Sequence, residues 1–162
     1  MEIVPALQPA LVRQERVPSS PCRMIAPPAA PSRAVTVGLM PSLATSSLSP
    51  SERRVLEQFV RLLQTELGGD LRAVWLYGSR ARGEQPGPDS DVDLLVVSTR
   101  RGSQDDLRVV ELLMDAAEAE GANPAFFSAK LFDPDRIAER RNIRSFFMQE
   151  VDRDKVVLFG EP

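Results

Sequence analysis

Apolar residues recur at helical spacing over the stretch that follows residue 50. They are Leu56, Phe59, Val60, Leu63 and Leu67, which lie on one face of a helix. The preceding letters Ser-Pro-Ser-Glu (49–52) form a capping box with proline in the first turn, and two glycines follow Leu67. The pattern predicts a helix over residues 50–67.

Four short apolar runs are typical of buried strands. They cover residues 73–77, 91–97, about 125–132 and 155–159, and each is bounded by Gly, Pro, Asp or Asn residues nearby. The loop between the first two runs contains Pro86, Gly87 and Pro88, and it is long enough for the strands to pair in either sense. The first two strands are therefore expected in one sheet, with their relative direction open.

Two further helices complete the predicted order. One begins at Ser103 with an acidic first turn and runs to about Glu120. The other is capped by Asp133 before Pro134 and runs to about Glu150, with a break near Asn142. The order α, β, β, α, β, α, β predicts an α/β (α+β) fold, with a small mixed sheet and helices packed mainly on one side.

The first part of the chain lacks any such periodicity. Nine of the 14 prolines lie in the first 50 residues, among Ala, Ser and Val. Proline removes backbone donors and pushes its neighbours toward extended forms. We expect residues 1–48 to be a disordered or loosely ordered leader and residues 49–162 to be the folded domain.

The amino-acid composition excludes several kinds of catalytic and metal site. The absence of His and the presence of one Cys, Cys22, exclude His-based acid–base catalysis, an internal disulfide and the common zinc sites. A net charge of −3 without a basic stripe argues against nucleic-acid binding. The sequence has no apolar run long enough to span a membrane and no secretory signal, so a cytoplasmic protein is expected.

Asp91 and Asp93 are the first candidate site residues. At i and i+2 on a strand their side chains point to the same face, about 6–7 Å apart along the strand. Two carboxylates so close together repel each other, and a shared divalent cation removes the conflict. Magnesium prefers hard oxygen ligands and leaves coordination positions for phosphate, so Mg²⁺ is the expected cofactor.

Gly78 and Ser79 follow the first strand and are the expected phosphate contacts. Glycine lets the backbone approach a ligand closely, and serine offers a hydroxyl and an amide donor. Arg80 and Arg82 lie in the turn that follows, where we expect their guanidinium groups to help bind the phosphates. Amide donors on one side and a metal on the other are what phosphoryl-group chemistry requires.

The letters LYGSRARGEQPGPDSDVDLLVV, residues 76–97, resemble the signature of the polymerase-beta-type nucleotidyltransferase superfamily. Within it they are similar to the minimal nucleotidyltransferases of prokaryotic toxin–antitoxin pairs. Eleven residues separate Ser79 from Asp91, one more than the commonest spacing, and the insertion falls in the Pro/Gly loop. The resemblance extends less specifically over residues 49–159.

The resemblance implies a site and a reaction. Asp91 and Asp93 would hold two magnesium ions, and Gly78 and Ser79 would contact the β and γ phosphates of a nucleoside triphosphate, expected to be ATP. The enzyme would transfer a nucleoside monophosphate, expected to be AMP, to an acceptor hydroxyl with release of pyrophosphate. The acceptor implied is a Tyr of a partner protein such as a HEPN-type toxin.

One departure from the family leaves alternatives open. The family carries a third carboxylate on a later strand, where the best registration, anchored on Asp133, places Ser128. The chain could therefore be an active transferase or a non-catalytic nucleotide-binding antitoxin partner. An antibiotic-modifying nucleotidyltransferase is less expected, because such enzymes usually add a helical domain and the given sequence ends after its last predicted strand.

Overall fold

The computed structural model describes residues 41–87 and 90–161 of the chain. The helices of this part are α1 (Pro50–Leu67), α2 (Gly78–Ala81), α3 (Ser103–Ala119), α4 (Pro134–Asn142) and α5 (Phe146–Asp154). The strands are β1 (Leu71–Tyr77), β2 (Val92–Ser98), β3 (Phe127–Phe132) and β4 (Val156–Gly160). Short 3₁₀ turns cover Pro41–Thr45, Gly68–Asp70 and Pro124–Phe126. Of the expected leader, residues 1–48, residues 1–40 lie outside the described part of the chain.

Side-chain caps set the beginnings of the helices. The Ser49 hydroxyl accepts the backbone N–H of Glu52 at 3.2 Å, and the Glu52 carboxylate accepts the N–H of Ser49 at 2.6 Å, which is the predicted capping box. Asp133 accepts the N–H of Arg136 at 2.9 Å and starts α4. The predicted break in the last helical stretch lies at residues 143–145, where Arg144 adopts a positive φ of 51°.

The four strands form one mixed sheet in the order β3–β2–β1–β4. β1 pairs antiparallel with both β2 and β4, and β2 pairs parallel with β3. β3 begins two residues later than predicted, because the Asn123 side chain accepts the N–H of Ala125 at 3.1 Å and holds the preceding residues in a 3₁₀ turn. β1 and β2 are therefore antiparallel, which the sequence had left open.

Helices pack on both faces of this sheet. The larger apolar cluster joins one face to the long helices α1 and α3, through residues such as Phe59, Leu63, Leu76, Leu94 and Leu113. The smaller cluster joins the other face to the short helices α4 and α5, through Trp75, Leu95, Ile137, Met148 and Val151. The expected one-sided arrangement therefore describes the two long helices, while α4 and α5 cover the opposite face. No helix among residues 41–87 and 90–161 is long and apolar enough to cross a membrane.

Residues 41–48 differ from the expected leader because they pack on the domain. Leu48 is 6% exposed in the larger cluster, and the N–H of Ser47 donates to the carbonyl of Arg80 at 3.1 Å. The Arg53 guanidinium donates to the carbonyls of Leu43 at 2.9 Å and Leu48 at 3.2 Å. These contacts involve too short an apolar segment to produce a periodic signal in the sequence, so the boundary predicted at residue 48 falls inside the ordered part.

Truncating Leu48 tests this packing. Leu48→Ala should lower the free energy of unfolding by about 2–5 kcal/mol, the usual cost of removing a buried leucine side chain. Leu107→Ala is the matched control, since Leu107 is 62% exposed and its truncation should change stability by less than about 0.5 kcal/mol. Urea denaturation of both variants measures the difference, and equal losses would show that Leu48 is not part of the core.

Candidate functional site: the junction of β1, α2 and β2

The antiparallel pairing of β1 and β2 brings the two sequence motifs together. Tyr77, the last residue of β1, is paired with Asp93 near the start of β2. Gly78 and Ser79 follow Tyr77 directly, and Asp91 precedes the first residue of β2. Residues separated by the loop in the sequence are therefore neighbours at one end of the sheet.

Gly78 is required by both its backbone and its surroundings. Its φ is +77°, a conformation that residues with a side chain rarely adopt. A Cβ atom at this position would lie 3.2 Å from Oδ2 of Asp93. Gly78 thus lies directly beside the Asp93 carboxylate, and its approach to a phosphate stays a prediction.

The turn after Gly78 is held by its own hydrogen bonds. The N–H of Arg82 donates to the carbonyl of Gly78 at 3.2 Å, and the N–H of Glu84 donates to the carbonyl of Ser79 at 3.1 Å. The first amides of such a turn have no partner within the helix. Within the described part of the chain, the Ser79 hydroxyl makes no hydrogen bond, so it is available to a ligand.

Asp93 lies in an environment that disfavours its charge. Burial raises the pKa of the Asp93 carboxyl, and the nearby Asp91 carboxylate raises it further. The Lys130 ammonium and a hydrogen bond from the Ser128 hydroxyl oppose this rise without cancelling it. Asp91 is exposed, and neither aspartate forms an ion pair with another described residue.

Tyr77 and Lys130 complete the surroundings of Asp93. The Lys130 ammonium donates to the Tyr77 hydroxyl at 3.3 Å, and the Phe147 ring packs edge-on against the Tyr77 ring with 5.5 Å between centroids. Burial, assisted by the charge of Asp93, raises the pKa of Tyr77 to about 12, so its hydroxyl stays protonated. Sequence reasoning assigned Tyr77 to the core, where it does lie, and missed that its hydroxyl and Lys130 meet beside Asp93.

The third strand brings no carboxylate to this place. β3 pairs with β2 in a register that sets Ser128 opposite Asp93. Among residues 41–87 and 90–161, no group of three or more His, Cys, Asp or Glu side chains is arranged to hold a metal ion. Among the described residues, the acidic ligands at this place are Asp91 and Asp93.

The two arginines of the turn are engaged elsewhere in the protein. Arg80 is 3% exposed and forms an ion pair with Glu52 at the start of α1. Arg82 forms ion pairs with Glu84 at 2.6 Å and with Asp154 of α5 at 2.8 Å. In this state both guanidinium groups stabilise the turn, so phosphate contact through Arg80 or Arg82 stays a prediction that would require their ion pairs to rearrange.

Comparison with known proteins identifies the family of the chain. The model of the family "Polymerase beta, Nucleotidyltransferase" matches residues 57–161, well over half of the chain. No curated protein is significantly similar to the chain.

Several solved structures are similar to the chain at low identity. A mutant of the toxin–antitoxin complex MntA–HpeT is 18% identical, with a TM-score of 0.42 over 65% of this chain and 73% of that chain. A tri-AMPylated Shewanella oneidensis HEPN toxin in complex with the MNT antitoxin is 17% identical, with a TM-score of 0.40 over 67% and 72%. A putative nucleotidyltransferase from Sulfolobus solfataricus is 19% identical, with a TM-score of 0.42 over 74% and 87%. On the match of the family model, the chain belongs to the polymerase beta nucleotidyltransferase family.

Proposed function

We propose that the chain binds a magnesium–nucleoside triphosphate, ATP in the first instance, and transfers the nucleoside monophosphate to an acceptor hydroxyl. The observation that carries this proposal is the position of Gly78 beside Asp93, since a Cβ on Gly78 would lie 3.2 Å from Oδ2 of Asp93. A phosphate seated on the Gly78–Ser79 turn would be adjacent to any cation held by Asp93. The family match over residues 57–161 supports the same reaction class.

The residues present fit a divalent cation. Asp91 and Asp93 are hard oxygen ligands without ion-pair partners among the described residues, and burial raises the pKa of Asp93 because nothing fully compensates its charge. A cation beside such a carboxylate removes the electrostatic cost. When bound, Mg²⁺ would neutralise phosphate charge and polarise the phosphorus that is attacked.

The protein's own groups then bind and orient the substrate. The amides and hydroxyl of Gly78 and Ser79 would hold the terminal phosphates, which become the leaving pyrophosphate. Asp91 and Asp93 would fix the metal, and through it the α-phosphate, in front of the acceptor. Positioning of this kind accounts for most of the catalysis in phosphoryl-group transfer.

The acceptor and the partner form the finer part of the proposal. We propose a Tyr hydroxyl of a partner protein, with a HEPN-type toxin as the first candidate, on the resemblance of residues 76–97 to toxin–antitoxin nucleotidyltransferases. A second candidate function is nucleotide binding without transfer. Ser128 opposite Asp93 favours it, since a hydroxyl cannot replace the charge of the third carboxylate.

Nucleotide binding should depend on Mg²⁺ and on the two aspartates. ATP with Mg²⁺ should stabilise the protein by about 2.7 kcal/mol at a hundredfold excess over the dissociation constant. ATP with EDTA should not, because the phosphates then face two uncompensated carboxylates. Differential scanning fluorimetry measures the change in melting temperature.

A charge-matched pair of variants makes this experiment specific. Asp91→Asn/Asp93→Asn should abolish the stabilisation, whereas Asp115→Asn/Glu118→Gln, which removes two exposed charges from α3, should retain it. If the Asp91/Asp93 variant keeps the full shift with ATP and Mg²⁺, the assignment of the site is wrong.

The pH dependence of stability without metal should show the strain at Asp93. The raised pKa means that the folded protein binds this proton more tightly than the unfolded chain. The contribution of Asp93 to stability therefore falls as pH rises from below the unfolded pKa through the raised folded pKa. Asp93→Asn removes this loss, so in EDTA the variant should gain stability relative to wild type as the pH rises from below the unfolded pKa of Asp, about 3.9, through the raised folded pKa.

Urea denaturation across that pH range measures the difference between the two proteins. Asp115→Asn is the control, because Asp115 is exposed and its replacement should give no such trend. A stability difference between wild type and Asp93→Asn that does not change with pH would contradict the account of Asp93.

A further inference from the structure

Lys130 reaches across the sheet to the candidate site. It lies on β3, opposite Leu95 of β2, and alternation puts it on the same face as Ser128, which pairs with Asp93. Its ammonium donates to the hydroxyl of Tyr77 on β1, at 3.3 Å. Because β2 lies between β1 and β3, the Lys130 side chain must pass over β2 on the face that carries Asp93.

The charges in this place do not suit two divalent ions. Asp91 and Asp93 supply two negative charges, Lys130 supplies one positive charge, and Ser128 is neutral. Two ions held by the aspartates would add four positive charges next to an ammonium, and residues 41–87 and 90–161 bring no third carboxylate to bind the second ion. One ion leaves a nearly balanced site before the phosphates arrive.

We propose that the site takes one divalent ion with the nucleoside triphosphate. In this proposal the Lys130 ammonium, placed against a phosphate oxygen, supplies the positive charge that a second ion provides in the two-ion arrangement. The inference rests on the proposed nucleotide-binding function and departs from the two ions that the family resemblance implies. It also explains why residue 128 is a serine, because a carboxylate at that position would pair with Lys130 and withdraw it from the nucleotide.

A lysine suits this role better than an arginine. Its ammonium is a compact point charge with three rotatable donors on a flexible stem, so it can bond a phosphate oxygen at the location where an ion would be. Lys130 itself is exposed, and its hydrogen bond to Tyr77 aims the ammonium inward over Asp93.

Counting ions per bound nucleotide tests the proposal. The probes are Mn²⁺, which electron paramagnetic resonance counts as free and bound ion, and the non-hydrolysable analogue AMP-PNP, whose binding is measured in parallel by calorimetry. The full chain should bind one Mn²⁺ per AMP-PNP. Lys130→Met should weaken AMP-PNP binding by on the order of tenfold or more, the usual effect of losing a hydrogen bond to a charged group.

Three further variants provide controls. Lys130→Arg keeps the charge and should keep one ion per nucleotide with a smaller loss of affinity. Lys155→Met changes the other lysine of the chain, which bonds Asp152 and lies over the Trp75 ring, and it should behave as wild type. Ser128→Asp/Lys130→Met restores a third carboxylate and removes the ammonium, so it should bind a second Mn²⁺.

Each outcome separates this inference from the function on which it rests. Two Mn²⁺ ions per AMP-PNP in the wild-type protein, or unchanged affinity in Lys130→Met, would overturn the one-ion site and leave nucleotide binding intact. One ion in Ser128→Asp/Lys130→Met would show that these two positions do not set the count. No AMP-PNP binding by the wild-type protein in the presence of Mn²⁺ would instead overturn the proposed function itself.

Discussion

The register between β1 and β2 is the constraint on which the candidate site depends. It sets Tyr77 opposite Asp93, and it places Gly78 so close to the Asp93 carboxylate that a Cβ on Gly78 would lie 3.2 Å from Oδ2. A shift by one residue would turn Asp93 to the other face and remove this contact. The register is specified by burial on both faces of the strands, since Val74 and Leu76 pack under α1 and α3 while Trp75 and Tyr77 pack on the opposite side.

The same constraint explains why several contacts fix the α2 turn to neighbouring elements. A carboxylate whose pKa is raised by burial destabilises the protein without a cation, and it persists because neighbouring elements hold it in place. The α2 turn is fixed to α1 through the ion pair of Arg80 with Glu52, and to α5 through Arg82 and Asp154. Hydrogen bonds from Arg153 and Arg82 lower the pKa of Asp154 to about 2, so its ion pair with Arg82 persists at neutral pH. Residues 41–48 add a third support, because Gly83 lies so close to Thr45 that a Cβ there would be 2.3 Å from its carbonyl oxygen.

Local signals in the sequence were sufficient for the elements, and the folded sheet brings the Gly-Ser and Asp-x-Asp motifs together. The capping box at Ser49, the apolar runs of the strands and the Gly-Ser to Asp-x-Asp spacing each encode their structure within a few residues, and the structure confirms the elements. Tertiary contacts could not be predicted from such local signals. Three such contacts join residues that are far apart in the sequence and meet only in the folded protein. They are the packing of Leu48 in the core, the ion pair of Arg80 with Glu52 and the hydrogen bond of Lys130 to Tyr77. The packing of helices on both faces was also not predictable, because the short helices α4 and α5 have too few apolar positions to indicate which face of the sheet they cover.

The central claim is that the junction of Gly78–Ser79 with Asp91–Asp93 binds a metal–nucleotide complex, and paramagnetic broadening of amide resonances by Mn²⁺–ATP tests it most directly. In a ¹⁵N-labelled chain with substoichiometric Mn²⁺, the account predicts selective loss of the amide signals of residues 78–82, 91–93 and 128–130. The amides of α3 around Asp115 and Glu118, which form an exposed acidic surface, should keep their intensity. Broadening centred on α3, with residues 78–82 and 91–93 unaffected, would contradict the account.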